Sequence, residues 1–281
     1  MSNEIVKKQG NTQIGFTSFM TSGVVQKKVN EILGDEKRGA RFISSIVSAV
    51  SNNPALKSCE NTSILSGALL GESLNLSPSP QLGNYYLVPF KVKRKDDNGK
   101  DIFVDVAQFQ LGYKGYIQLA IRSGQYKKLN VLAIKEGELI KYDPLNEEIE
   151  VELIEDEEKR EKAKTIGYYA MFEYNNGFRK TMYWSKAKME KHALQYSKGY
   201  AKKSGYTFWE KDFDSMAYKT MLRQLISKWG IMSVDMQQAY ESDMAYIKED
   251  GSKEYVDNQE DSMVFEVEEQ PTEVKGLDDI D

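Results

Sequence analysis

The residue types that carry covalent or metal chemistry are scarce in this chain. There is one cysteine, Cys59, and one histidine, His192, so neither a disulfide framework nor the soft ligand set of a structural zinc site can be assembled. A Ser-His-Asp or Cys-His nucleophile would have to be built on His192, whose setting Met189-Glu190-Lys191-His192-Ala193 reads as a solvated helix face. Asp101 with Asp105, or Asp212 with Asp214, could converge on Mg²⁺ as in a metal-dependent nuclease. Their plainer roles are a residue following a turn for Asp101 and a helix N-cap for Asp212. Neither a Gly-x-x-x-x-Gly-Lys-[Ser/Thr] loop nor a Gly-x-Gly-x-x-Gly after a strand occurs, so nucleotide hydrolysis and dinucleotide binding lack their phosphate cradle.

Cationic residues interleaved with aromatic ones are plentiful. The pattern occurs at Tyr113-Lys114-Gly115-Tyr116, at Arg122 with Tyr126-Lys127-Lys128, at Arg179-Lys180 with Tyr183-Trp184, and from Lys198 to Lys211 with Tyr200, Tyr206 and Trp209. Lysine and arginine neutralise phosphates and release counterions, while aromatic faces stack on bases whatever their identity; this is the chemistry of single-strand binding. Taken singly, each tyrosine could pack a β core and each lysine could keep the surface soluble. The distribution of charge favours the collective reading. The net charge is −5, yet residues 1–134 carry +7, 135–162 carry −7, 163–234 carry +8 and 235–281 carry −13. A cationic body attached to an acidic tail is the asymmetry expected when the body binds a polyanion.

The elements that must position these residues can be read from periodicity. With 281 residues, 40% of them apolar and only 6 prolines, the chain can build one large domain or two smaller ones. The first 20 or so residues carry no period and read as a flexible arm. Val24, Val25, Val29, Ile32 and Leu33 predict a helix ended by Gly34, and Phe42, Ile43, Ile46, Val47 and Val50 a second one stopped at Asn52-Asn53-Pro54. A third, 61–74, carries small residues such as Gly67 and Gly71 that allow close approach. The period then changes to two. Strands at 85–95 and 102–109 flank Asp96-Asp97-Asn98-Gly99, a hairpin turn. A helix follows Leu111-Gly112 and runs to Ser123-Gly124. Strand-like segments lie at about 127–135, 138–142, 148–154, 164–174 and 178–183, with Asn175-Asn176-Gly177 as a further turn, so most of the middle is antiparallel β. Helices from Ser185 to about Ser197 and from Asp212 to Trp229 close the body, with an intervening loop, and the second of them has Met216, Met221, Leu222, Leu225, Ile226 and Trp229 available for packing. Met236, Ala239, Tyr240, Met244 and Ile247 make a short amphipathic helix plausible at 235–247, suited to docking a partner. The remainder is acidic and reads as disordered apart from Met263-Val264-Phe265. No apolar run reaches membrane-spanning length and the N-terminus lacks a signal-peptide core, which predicts a cytoplasmic protein with no membrane partner.

These segments, in this order, resemble a known family. Ile64-Leu65-Ser66-Gly67-Ala68-Leu69-Leu70-Gly71-Glu72-Ser73-Leu74-Asn75-Leu76-Ser77-Pro78, Leu82 to Phe90, Leu111-Gly112-Tyr113-Lys114-Gly115-Tyr116 through Arg122-Ser123-Gly124-Gln125, and Trp209 with Met216 to Leu225 are similar to RecT-type phage single-strand annealing proteins. The resemblance covers roughly 25–235 and omits the tail. It implies an α+β fold in which an antiparallel β-sheet core, N-terminal helices and a long C-terminal helix flank a basic groove, related to the eukaryotic single-strand annealing proteins. The chain would comprise an arm at 1–20, a DNA-binding and oligomerisation domain at 21–234, and an acidic tail at 235–281.

The implied activity is non-catalytic: ATP-independent coating of single-stranded DNA, pairing with a complementary strand and retention of the annealed duplex in a homo-oligomeric ring or filament. A passive coat or a metal-dependent nuclease are the alternatives. Carried onto matching positions, the resemblance assigns DNA contact to Tyr113, Lys114, Tyr116, Arg122, Lys127, Lys128, Lys219 and Arg223, with Trp184, Lys186, Lys198 and Trp209 as further contacts. Lys219 and Arg223, four apart on one helix face, are expected to track one strand. Subunit contacts are expected through the helices at 24–33 and 36–52. No cofactor is required, and Mg²⁺ is expected to modulate DNA binding by competing for phosphates. A phage exonuclease and a host single-strand-binding protein are the partners expected at the tail, with a phage or prophage protein in a bacterial host, or the host nucleoid, as the setting.

Overall fold

The computed structural model describes residues 14–255 other than 97, 206 and 249. Three helices open the chain: α1 (Phe16–Met20), α2 (Gly23–Leu33) and α3 (Glu36–Ser51). Within the segment expected as arm, α1 buries Phe16 and Met20, so the apolar core begins before residue 21. Gly34, at φ +68°, ends α2 in the left-handed conformation that glycine adopts without strain. Asp35 caps α3 by accepting from the Arg38 amide at 2.9 Å, and the backbone donors of Arg38 and Lys37 hold its carboxyl below the usual range. A 3₁₀ turn at Pro54–Ser58 leads to α4 (Asn61–Ser73).

Helix α4 lies on the first sheet through its small residues. A Cβ on Gly71 would stand 2.4 Å from the Tyr85 ring, and one on Gly67 would stand 2.8 Å from Leu87. That sheet pairs β1 (Tyr85–Lys95) with β2 (Asp101–Leu111) over eleven residues, with Gly99 at φ +76° in the connecting turn. Helix α5 (Tyr113–Arg122) then leads to the second sheet, β3 (Tyr126–Lys135), from which a separate two-stranded hairpin, β4 (Leu139–Asp143) with β5 (Glu148–Val151), emerges. After α6 (Glu157–Lys162), β6 (Thr165–Tyr174) and β7 (Arg179–Ser185) complete a second sheet of order β3-β6-β7. All pairings are antiparallel. The β-rich middle is therefore two sheets and a hairpin, where a single sheet core was expected.

Helix α7 (Lys186–Tyr196) stands where a helix was expected, and the segment expected as a loop after it contains two short helices, α8 (Lys198–Ala201) and α9 (Phe208–Lys211). Helix α10 (Phe213–Trp229), the longest described, is capped by Asp212 through the Ser215 amide at 3.0 Å. It joins two cores. Leu222 and Ile226 enter the core shared by α1–α5 and the first sheet, whereas Ala217, Met221 and Leu225 enter the core of the second sheet with Tyr168, Phe172 and Trp209. Cys59 is fully enclosed in the first core, and burial pushes its thiol up to about 12.

Residue 234 is not where the fold stops. Helix α11 (Val234–Ser242) replaces the longer helix expected at 235–247, and β8 (Ala245–Ile247) and β9 (Lys253–Tyr255) extend the first sheet to the order β1-β2-β8-β9. The break is made at Met244, whose φ of +69° turns the chain between α11 and β8. Met236, Ala239, Ala245 and Ile247 are buried in the first core. The apolar face expected to dock a partner thus packs on the chain's own body. The acidic stretch beyond 255 and Met263-Val264-Phe265 lie outside the described residues. Among those described, no helix is long and apolar enough to cross a membrane.

Candidate nucleic-acid interface

The segment from Leu111 to Gln125 is built by close backbone approach. Gly112 donates to Asn84 O at 2.8 Å, and a Cβ on Gly112 or Gly115 would stand 2.1 Å from Gly83 O or Asn84 O respectively. Only glycine allows α5 to start flush against the loop before β1. The consequence is that Lys114, on the outer side of the first turn, stands exposed beside Gly83. It lines an open depression of about 450 Å³ with Gln81, Leu82, Asn84, Ile117 and Gln118. Tyr113 is half-buried, its ring edge-on to Tyr218 at 5.6 Å. Tyr86 meets Phe208 at 5.5 Å and thereby ties β1 to α9.

Tyr116, Lys219 and Arg223 do come together, but facing inward. Asp243, 1% exposed, accepts from Lys219 Nζ at 2.9 Å, the Leu111 amide at 2.9 Å and Arg223 Nη1 at 2.8 Å. The Tyr116 hydroxyl lies 3.4 Å from the same carboxylate, the ring is fully enclosed, and burial pushes the phenol up from its ordinary range. The Arg223 guanidinium also lies 4.2 Å from the centre of the Tyr240 ring. The expected strand-tracking face of α10 is thus covered by α11 and the turn after it. Two cations satisfied by a buried carboxylate hold the fold together, and in this arrangement Tyr116 presents no ring for stacking.

The other expected contacts divide in the same way. Trp209, 7% exposed, packs against Phe213 at 5.0 Å and belongs to the second core. Arg122 is exposed yet donates to Leu74 O at 2.7 Å, tying the end of α5 to the end of α4. Lys127 and Lys128 are exposed on β3 and share Glu173, at 2.7 and 3.5 Å; the Lys127 ammonium foremost holds that carboxyl below its usual range. Trp184 is half-buried under Lys188, whose Nζ lies 4.4 Å from the ring centre. Lys186 is half-buried, 3.4 Å from the Phe213 ring centre, and donates to the Tyr168 hydroxyl at 2.8 Å. Lys198 opens α8 and is exposed. Residue 206 lies outside the described set.

His192 departs from the solvated face expected of it. Its ring lies 4.4 Å from Tyr196 and 5.6 Å from Trp184, half-buried among aromatics. The carboxylates considered for a metal each have a structural partner: Asp101 pairs with Lys93 at 2.6 Å, Asp105 with Lys91 at 3.0 Å, Asp212 caps α10 and Asp214 accepts from the Tyr168 hydroxyl. No group of three or more His, Cys, Asp or Glu is gathered among the described residues. Reading by residue type missed Asp243. It also took Trp229 for a packing residue, whereas the indole is 50% exposed with Lys180 Nζ 3.5 Å above it. Its signal was Arg179-Lys180, already conspicuous, but 49 residues separate Lys180 from that tryptophan and only the fold joins them.

A family model described as "RecT family" matches residues 40–259. The chain belongs to the RecT family. Similar curated proteins include the "Uncharacterized protein YqaK" of Bacillus subtilis (strain 168), 44% identical over 269 residues, spanning 93% of this chain and 84% of that one. "Protein RecT" of Escherichia coli (strain K12) is 26% identical over 227 residues, 80% of this chain and 79% of that protein. RecT-family membership places the chain among the single-strand annealing proteins of DNA recombination, which bind single-stranded DNA. The match runs past 234 and so takes in α11, β8 and β9, the segment that supplies Asp243.

Proposed function

We propose that this chain coats single-stranded DNA and anneals it to a complementary strand without ATP, in a head-to-tail assembly that forms a ring or a filament. The observation that carries the reading is the RecT match over 40–259, which includes the glycine-built start of α5 with Lys114 exposed on it. Lys114, Lys127 and Lys128 are the foremost phosphate contacts, with Tyr113, Arg122, Lys186, Lys198 and the Trp184 edge as further ones. Neutralising the backbone removes the repulsion that slows the meeting of two polyanions. Contacts confined to the backbone leave the pairing edges of the bases free, so the incoming strand reads sequence and the protein does not. Base pairing supplies the driving free energy. No cofactor takes part, and Mg²⁺ weakens binding by competing for phosphates. The acidic residues beyond 255 keep assemblies soluble or hold an exonuclease or a host single-strand-binding protein, and a tail deletion that leaves partner binding and DNA affinity unchanged would remove the second role.

The test is the rate at which two complementary labelled oligonucleotides pair in EDTA without ATP, at low and moderate salt. Salt-sensitive acceleration with both strands intact is the expected result. Absence of acceleration overturns annealing and leaves a passive coat, and magnesium-dependent loss of label would instead show a nuclease.

A further inference from the structure

Two of the three tryptophans each carry a lysine over the ring, and the contacts around them close into a circuit on the helix-covered side of the second sheet. Lys180, Met182 and Trp184 alternate on the face of β7 that is paired with Phe172, Ala170 and Tyr168 of the second core. Lys180 and Trp184 therefore share one side, about 13 Å apart along the strand. Lys180 Nζ lies 3.5 Å from the centre of the Trp229 ring at the end of α10. Lys228, next to Trp229 in the chain, acts on Lys188 of α7, whose pKa is lowered foremost by burial and then by Lys228. Lys188 Nζ, 4.4 Å from the Trp184 ring centre, returns the circuit to β7.

The circuit is held in place and its charge is left over. The Tyr174 hydroxyl donates to Trp229 O at 3.1 Å and the Tyr126 hydroxyl to Ile231 O at 3.0 Å, so the end of α10 is tied to β6 and β3. Lys180 is bonded to Glu147 and props the indole, half of which still stands in solvent. Lys188 and Lys228 are exposed and enter no ion pair among the described residues. No acidic residue occurs at 174–189 or 215–234, the stretches that supply both tryptophans and all three lysines. The negative dipole end of α10 is offset by Lys228 in its last turn, and the Trp229 carbonyl is taken up by Tyr174.

An indole held still, half exposed and beside unpaired cations is a platform for a flat, anionic ligand. An acidic peptide would satisfy the lysines equally, but indoles set among cations match a strand, in which flat bases and phosphates alternate. We infer that Trp229 and Trp184, with Lys188 and Lys228, form a site for single-stranded nucleic acid in which a base stacks on Trp229 and the two lysines take the adjoining phosphates. Trp184 was expected at the DNA from the family resemblance; Trp229, Lys188 and Lys228 were not. The inference rests on the reading of the chain as a single-strand-binding protein and adds to it a stacking residue.

Titration of the full chain with labelled oligo(dT) and with an abasic strand of the same length, across a salt series, tests it. The native chain is expected to prefer oligo(dT). Trp229→Leu is expected to weaken oligo(dT) binding by about five-fold or more and to remove most of that preference, at unchanged salt slope and with a native circular dichroism spectrum. Trp229→Phe is expected to recover most of the loss. Lys188→Gln with Lys228→Gln is expected to make the plot of log affinity against log salt shallower by about 1.4, the share of two phosphates, and decides the matter where Trp229→Leu does not fold. Equal affinity of the native chain for the two strands overturns the inference, as does a folded Trp229→Leu that binds both like the native chain. So does Trp229→Phe binding no better than Trp229→Leu, or an unchanged slope in the lysine variant. A changed sedimentation mass of Trp229→Leu at unaltered oligonucleotide affinity overturns it too and makes this surface a protein contact. The two claims fail separately: a native chain that binds neither strand sinks the single-strand reading, whereas one that binds and pairs strands while every variant matches it sinks this site alone.

Discussion

Lys219 with Arg223 on α10 and Lys127 with Lys128 on β3 belong to the same kind of sequence, cations among tyrosines, and the fold uses them oppositely. The α10 pair is nine-tenths buried around Asp243, the β3 pair stands in solvent around Glu173. One acid satisfies two bases in each place. What differs is the medium. In the enclosed cluster each partner has lost its water, so the carboxylate is indispensable to the fold; on the open strand water screens the pair and the lysines can exchange Glu173 for a phosphate at little cost. A basic residue is therefore a nucleic-acid contact only where its present partner is cheap to leave.

The largest effect expected from this contrast follows from Asp243→Ala. Removing the carboxylate leaves Lys219 and Arg223 buried without their counter-charge and frees the Leu111 amide, and breaking a buried pair in this way costs about 3–5 kcal/mol. Thermal or urea unfolding of the variant measures it. A loss below about 1 kcal/mol would place the cluster in the weak, solvent-screened class and erase the distinction.

Lys114→Ala probes the other extreme. Its side chain is exposed, so stability should not change, while the plot of log affinity for single-stranded DNA against log salt should become shallower by about 0.7, the share of one phosphate. A variant with unaltered slope and affinity would remove Lys114 from the interface. Glu173→Gln sharpens the same side of the contrast. It releases Lys127 and Lys128 from a carboxylate held ionised mainly by Lys127, so affinity for single-stranded DNA should rise by about two-fold or a little more, most clearly at low salt. Tighter binding would show that these lysines face the strand; weaker binding would show that Glu173 orders them for it.

How much of this could be read from residue order depended on whether the controlling partner is near in the chain. The turn at Gly99, the stop at Gly34 and the cap at Asp212 are local devices, and each stands where its residue type announces it. The close approach of α4 to Tyr85 was announced by Gly67 and Gly71. The orientation of α10 was not, because its two cations are turned inward by Asp243, twenty or more residues later and inside a stretch whose acidity reads as tail. Met244 breaks the helix there with a positive φ and no glycine to signal it, so the helical period runs on past the real turn. Trp209 shows a different limit: its packing partners Phe213 and Tyr200 are near in the chain, but the lysines and glycines from 198 to 205 make the stretch read as a basic loop.

Lys186 lies between the two extremes and gives the smallest and most discriminating effect. Its ammonium sits over Phe213 and on the Tyr168 hydroxyl, with Asp214 at 3.9 Å and Glu190 and Lys135 also acting on it. Burial is the dominant influence and lowers its pKa from the ordinary lysine value, against the pull of Asp214. A base whose folded pKa is depressed is disfavoured in its charged form, so its contribution to stability is least favourable below the folded pKa and improves as pH rises through it towards the unfolded value. Lys186→Met, which keeps the aliphatic stem, should therefore hold stability at neutral pH within about 1 kcal/mol of the native chain and flatten its rise at alkaline pH. Its effect on the salt dependence of DNA binding then decides where the boundary falls. A slope reduced as for Lys114 would mean that a half-buried cation still reaches the phosphate, whereas an unchanged slope would assign Lys186, like Lys219, to the fold.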